Sequence, residues 1–213
     1  MNEQPPVNHP LFARIYARVS ERVDARGGAE HREELLAGLA GRVVEIGAGN
    51  GRNFSHYHAV TEVVAIEPEP TLRTRARAAA ERAPVPVRVV GGTAEAIPDA
   101  TGTFDAGVAS LVLCSVVDQA TALGELYRVI RPGGELRFYE HVRAATPATA
   151  RLQRAADIVW PHLAGGCHTS RDTVRAITQA GFEIVKIREF QFLPAGRLGL
   201  IVGPHVVGRA CRP

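Results

Sequence analysis

The chain has little sulfur. Its 213 residues include 3 cysteines and one methionine. Cys114, Cys167 and Cys211 are odd in number, far apart, and form no C-x-x-C. That argues against a disulfide framework and for reduced thiols in a cytoplasmic protein. Long apolar runs are also missing. Leu198 to Val207 is apolar but short, and Gly199, Gly203 and Pro204 break it, so no membrane span is expected. The N-terminus, with Glu3, Pro5, Pro6 and Pro10, lacks the charged-then-apolar order of a secretory signal. Lysine is nearly absent, Lys186 being the only one. The net charge of +3 comes from arginines scattered among Asp and Glu, with no basic stripe, which argues against a nucleic-acid partner. No Ser-His-Asp constellation or P-loop is present. His56 and His58 form H-x-H without a third ligand in sequence, so no metal is expected.

What is there centres on Val43-Val44-Glu45-Ile46-Gly47-Ala48-Gly49-Asn50-Gly51. An apolar run ends in an acid, three glycines alternate, and Arg52-Asn53-Phe54 opens an expected helix. Strand, tight turn and helix N-terminus are where an α/β domain holds a nucleotide-like cofactor. The dinucleotide fingerprint G-x-G-x-x-G needs a glycine three after the second. Here Gly51 follows Gly49 by two, which speaks against a nicotinamide-dependent oxidoreductase.

Length and composition predict one domain over 1–213. Residues 1–10 read as an arm. Leu11, Ile15, Val19 and Val23 recur every four residues and predict a helix closed by Gly27-Gly28. A second helix is expected over 29–40. Residues 1–41 therefore cover one face of a sheet or form a lid, with Phe12 and Tyr16 as the aromatics able to close over a ligand. Strands are expected at 62–66, 87–90, 104–110 and 135–140, and helices at 71–82 and 118–130, the latter capped by Asp118. This alternation predicts a doubly wound, mostly parallel α/β sheet. The strand ends then gather Gly47–Gly51, Glu67, Thr93–Glu95, Ser110–Cys114 and Glu140–His141 around one crevice. Glu67, about twenty residues past the glycine loop, is placed to accept ribose hydroxyls. Leu72 can pack on an adenine face. Beyond Thr146 a helix is expected over 148–160. Thr169-Ser170-Arg171-Asp172 reads as a capping box for a helix to Gln179. Two closing strands follow, at 182–190 and 198–207, with a turn at Leu193 to Arg197.

Together, Val43–Gly51, Ile66-Glu67-Pro68, Gly92-Thr93-Ala94-Glu95, Thr103-Phe104-Asp105 and Arg131-Pro132-Gly133-Gly134 resemble the ordered motifs of class I S-adenosylmethionine (SAM)-dependent methyltransferases. The resemblance implies a Rossmann-like sheet of seven strands with the last antiparallel. It implies SAM as cofactor and S-adenosylhomocysteine as product. Residues 42–141 become the SAM-binding core and 142–213 the acceptor side. Glu45, Gly47, Ala48, Gly49, Gly51 and Asn53 surround the methionine part. Glu67 and Pro68 hold the ribose, and Leu72, Thr93, Ala94 and Glu95 line the adenine. Ser110, Leu111 and Tyr16 complete the cofactor set. A narrower likeness, in Leu111–Val116, Tyr139-Glu140-His141-Val142, Gly165-Gly166-Cys167-His168 and Pro204–Gly208, is to the methyltransferase-like family that contains thiol S-methyltransferases.

Methyl transfer asks the protein to align acceptor, methyl carbon and leaving sulfur, and to exclude water. The acceptor is a small molecule, with a thiol as first choice. O- or N-acceptors, a phospholipid amine among them, and a non-catalytic SAM-binding protein are the alternatives. His141, just past a strand end, is the first candidate for a base or acceptor-orienting group, and His168 the second. Phe12, Cys114 and Trp160 are candidates to line the acceptor pocket. Oligomeric state is open.

Overall fold

The computed structural model describes residues 10–192 and 199–213, with the side chains of Pro10–Phe12, Gly199 and Leu200 also left undescribed. The expected turn at Leu193 to Arg197, most of the arm over 1–10, and the Phe12 side chain therefore lie outside the described residues.

Seven strands form one sheet in the order β3-β2-β1-β4-β5-β7-β6. They are β1 (Ala40–Ile46), β2 (Ala59–Ile66), β3 (Val87–Val90), β4 (Phe104–Ser110), β5 (Ile130–His141), β6 (Glu183–Gln191) and β7 (Pro204–Cys211). The first five run parallel. β7 is antiparallel to both β5 and β6. Strand parity divides the core. Val44, Ile46, Val64, Ile66 and Phe138 face one layer, while Val43, Val63, Val108 and Tyr139 face the other. Helices α4 (Gln119–Val129) and α7 (Thr173–Gln179) bury Leu123, Leu126 and Ile177 in the first layer. Helices α2 (Ala29–Leu36) and α3 (Pro70–Ala80) bury Leu35, Leu36 and Ala76 in the second. A strand buried on both faces is why β1 and β2 read as continuous apolar runs.

Local signals set the helix starts. Asp118 accepts from Ala120 N and Thr121 N ahead of α4. Glu69 accepts from Leu72 N, and Pro70 opens α3 with φ already suited to a helix.

Several expectations change. No long helix follows the glycine loop. Residues Phe54–His56 make one 3-10 turn, because β2 begins at Ala59 and leaves no room for more. His56 ends that turn and His58 lies outside any helix. The box at Thr169–Asp172 is not formed. Asp172 alone caps α7 through Arg175 N, and Thr169 and Ser170 instead bond Asp157. The last strand starts at Pro204, after a short helix α8 (Gly199–Val202). The helix expected over 148–160 is α5 (Pro147–Ala156), followed by the separate turn α6 (Trp160–Leu163).

The largest revision concerns α1 (Pro10–Val23). The stripe Ile15 and Val19 lies outward, 52% and 47% exposed. Ala13, Ala17 and Ser20 form the buried face instead, continued by Asp24 in the kink just past the helix. Small side chains let this helix approach the glycine loop closely, so its inner face carries little hydrophobic signal.

Candidate functional site

β1 ends at Ile46 and the chain turns through Gly47 and Gly49, at φ 59° and 58°. These are left-handed values that favour glycine. A Cβ on Gly47 would stand 2.1 Å from Val112 Cγ2, and one on Gly49 would press on the Tyr16 ring at 3.3 Å. Tyr16 thus lies against the loop, and its phenol is pushed above its ordinary pKa, first by burial. Gly51 N donates to Ala48 O at 2.9 Å and closes the turn.

Glu67, just past β2, faces this loop. Its Oε2 accepts from Gly49 N at 2.7 Å and its Oε1 from Glu69 N at 2.9 Å. Burial pushes the carboxyl up to about 7 against those two bonds. Beside it, Glu69 Oε1 is buried without a partner. The Pro68 carbonyl accepts from Arg73 Nη1, which fixes the turn into α3. Leu72 and Ala94 are buried, and Thr93 is half-buried. Glu95 turns aside: its Oε1 accepts from Val117 N and Asp118 N, tying the post-β3 loop to the start of α4.

Beneath the loop, Glu45 is 2% exposed and its two oxygens are taken by Asn53 Nδ2 at 2.9 Å and Tyr57 OH at 2.7 Å. Burial pushes it up to about 7 as well. Glu45 and Asn53 therefore brace the loop from below. Ser110 is engaged in the same way, by Arg32 Nη1 at 3.0 Å. Arg32 was not legible as a site residue. It is buried, bonds Asp24 and Asn53, and so ties the kink after α1 to the loop and to β4. The residues around it offered no motif. Arg32→Lys keeps the charge but loses the planar fork, and is expected to cost about 2 kcal/mol. Urea unfolding checks this, and an unchanged midpoint would show the fork to be dispensable.

On the other side of Gly47, Leu111 is held at φ 56°, the one described non-glycine residue with positive φ. Strain of this kind gathers at working parts of a protein. Glu140, fully buried, holds the turn in place: it accepts from Val112 N and Leu113 N at 3.0 Å and from Cys114 N at 3.4 Å. Burial pushes its carboxyl up to about 8.

His141, the last residue of β5, meets Cys167, whose Sγ is 3.5 Å from Nδ1. Cys114 Sγ belongs to the same cluster. The Cys167 thiol beside Cys114 holds the Cys114 thiol well below its ordinary pKa despite burial, with the His141 ring adding to the effect. The Trp160 indole N–H is buried without a conventional acceptor and stands next to the Cys167 thiol. His205 stacks edge-on to His141 at 5.4 Å, donates from Nδ1 to Gly203 O at 2.8 Å, and is pushed down to about 4 by burial.

His168 is corrected here. Its backbone N–H donates to Cys114 O at 2.8 Å, but its ring turns away to Asp157, 3.9 Å off, and is 40% exposed. The side chain of that turn which meets His141 is Cys167. Cys114, His141 and Cys167 also gather with their ligand atoms within 4.8 Å of one another, a grouping that carries no spacing motif in the sequence.

A methyltransferase domain model matches residues 44–138. Thiol S-methyltransferase TMT1B of Rattus norvegicus is 33% identical, covering 97% of this chain and 88% of the relative. The chain belongs to the class I SAM-dependent methyltransferases. The fold agrees. A SAM-dependent methyltransferase of Thermotoga maritima superposes with TM-score 0.70 at 23% identity, covering 96% of this chain and 100% of its own. Geranyl diphosphate methyltransferase, solved with SAM, superposes with TM-score 0.70 at 16% identity over 92% and 90% of the two chains. SAM is thus the methyl donor of this methyltransferase. The residues fit it. An ionised carboxylate accommodates about four donors, and Glu67 receives two backbone N–H groups. Each oxygen keeps capacity for a ribose hydroxyl, and the glycine loop lets backbone come close. No helix among the described residues is long and apolar enough to cross a membrane.

Proposed function

We propose that this methyltransferase acts on the sulfur of small thiols in the cytoplasm. The observation that carries the reading is the meeting of His141, Cys114 and Cys167 at the carboxyl ends of β4 and β5, beside the glycine loop. The thiol S-methyltransferase relatives support it.

Bound SAM supplies an electrophilic methyl carbon on a sulfonium. The chain's own groups do the rest. Gly47–Gly51 cradle the methionine end, and Glu67 takes the ribose hydroxyls. Leu72 and Ala94 border the adenine, and Tyr16 closes over the loop. His141 presents a ring nitrogen that orients the acceptor. Cys114 and Trp160 line the acceptor side, with exposed apolar neighbours. Ile158 is 74% and Leu163 71% exposed around Trp160, an entrance suited to apolar thiols.

The test is a methyl-transfer screen of thiols, phenols and amines. Thiols are expected to exceed the other classes by at least about tenfold in kcat/KM, and preferred methylation of a phenol or amine would overturn the reading. His141→Gln is expected to lower thiol turnover roughly 100-fold while leaving SAM affinity within about threefold. Equal loss of both, read by single-turnover kinetics and calorimetry, would move His141 off the acceptor side.

A further inference from the structure

Two thiols and an imidazole converge from three distant parts of the chain. Cys114 comes from the turn after β4, His141 from the end of β5, and Cys167 from the turn after α6. Their ligand atoms all lie within 4.8 Å of one another. Cys167 Sγ is 3.5 Å from His141 Nδ1 and 3.9 Å from Nε2. In a tetrahedral zinc site, with Zn–S about 2.3 Å and Zn–N about 2.0 Å, neighbouring sulfur and nitrogen ligands stand roughly 3.5 Å apart. The observed separation already meets that distance.

The donor types select the ion. Thiolate with imidazole suits zinc and its soft congeners and suits magnesium or calcium poorly. The surroundings are those of a held site. Cys114 and Cys167 are 1% and 6% exposed, and His141 is half-buried, which leaves an approach past its ring. Glu140 fixes the backbone of Val112 to Cys114, and the His168 N–H fixes the Cys114 carbonyl. Ligand backbone is thus braced from both sides before any ion arrives. Only three Cys, His, Asp or Glu ligands gather among the described residues. Structural zinc sites are closed by four protein ligands, whereas three protein ligands with one open position is the pattern of reactive zinc.

We propose that Cys114, His141 and Cys167 bind one thiophilic divalent cation of the zinc class, with the fourth position taken by the sulfur of the methyl acceptor. The ion site stands on its own geometry. The role of the fourth ligand rests on the thiol reading above. On binding, the acceptor R–SH gives its proton to solvent and its sulfur joins the ion. A sulfur electron pair then forms the bond to the methyl carbon. The bond from that carbon to the donor sulfonium breaks, and its pair stays on the departing S-adenosylhomocysteine. The product thioether is neutral, a weaker ligand than thiolate, and leaves.

The probe is cadmium chloride added to the reduced, chelator-treated full chain, read by the ultraviolet sulfur-to-cadmium charge-transfer band. One equivalent is expected to saturate the band. Cys114→Ser and Cys167→Ser are expected to abolish it, while Cys211→Ser, on the far end of β7, leaves it intact. Circular dichroism of each variant separates ligand loss from unfolding. A missing band, or one that survives Cys114→Ser, overturns the site. Zinc returned to the chelated enzyme is expected to raise kcat/KM for thiols at least tenfold, and unchanged or lower turnover overturns the fourth-ligand role. A saturating band with no thiol methylated, with or without zinc, would leave the ion site standing and overturn the thiol reading instead.

Discussion

Glu67→Ala is expected to weaken SAM binding about 1,000-fold. The carboxylate has two oxygens with spare acceptor capacity facing the glycine loop. Hydrogen bonds to a charged acceptor contribute about 1.5–3 kcal/mol each, and two of them convert to roughly three decades in Kd. Titration calorimetry measures this directly, and an affinity within a few fold of the parent would mean that the ribose lies elsewhere. The same side chain predicts a pH dependence. In the SAM-free protein burial pushes Glu67 up to about 7, from an ordinary value of 4.5. Hydroxyl donors favour the ionised form. Affinity is therefore full above pH 7 and falls about tenfold per pH unit below it, until the carboxyl's pKa in the complex is reached. Glu67→Gln should flatten that slope. Stability of the SAM-free protein runs the other way. A carboxyl whose folded pKa is raised costs stability as pH climbs from 4.5 through 7, about 3 kcal/mol in full. SAM binding and SAM-free stability thus respond oppositely to acidification, an outcome that a merely structural Glu67 would not produce.

The second large effect is at Gly47. Alanine there must hold φ near 59° and place its Cβ 2.1 Å from Val112 Cγ2. The left-handed conformation costs an L-residue about 1–2 kcal/mol, and overpacking adds about 1–3 kcal/mol. Gly47→Ala is expected to lose about 4 kcal/mol of stability, and SAM affinity should fall at least 100-fold as the loop shifts. Adding Val112→Ala removes the Cγ2 clash, leaving the milder approach to Val112 Cβ at 2.8 Å and the φ cost. The double variant should therefore be more stable than Gly47→Ala alone, a non-additivity that reports direct contact. Simple additivity in urea melts would show that the strain is backbone only.

These two positions stood out in the sequence for the same reason. Both belong to a contiguous stretch whose chemistry is local: a strand, a glycine turn, and an acid at the next strand's end. The acceptor side was less legible. His141 was found because a strand end places it by topology. In the sequence His168 carries the stronger signal than its neighbour Cys167, but one residue's difference in a glycine turn decides which side chain points inward. Glu140 was seen only as part of the Glu140-His141 pair. Its bonds to Val112, Leu113 and Cys114 span 26 to 28 positions and leave no periodic trace. The buried face of α1 is alanine and serine, so hydrophobic periodicity marks its outer side.

By itself the sequence determined the alternation of strands and helices, the glycine loop, the ribose-side acid and hence the methyltransferase class. Those features are written in short-range patterns, where propensity, capping and turn chemistry act over a few residues. Only the tertiary structure decided which helix face meets the loop, that Arg32 locks it, and that Cys114, His141 and Cys167 gather in one cluster. Such contacts arise when the sheet brings strand ends together, and close packing, not spacing along the chain, selects the side chains that touch.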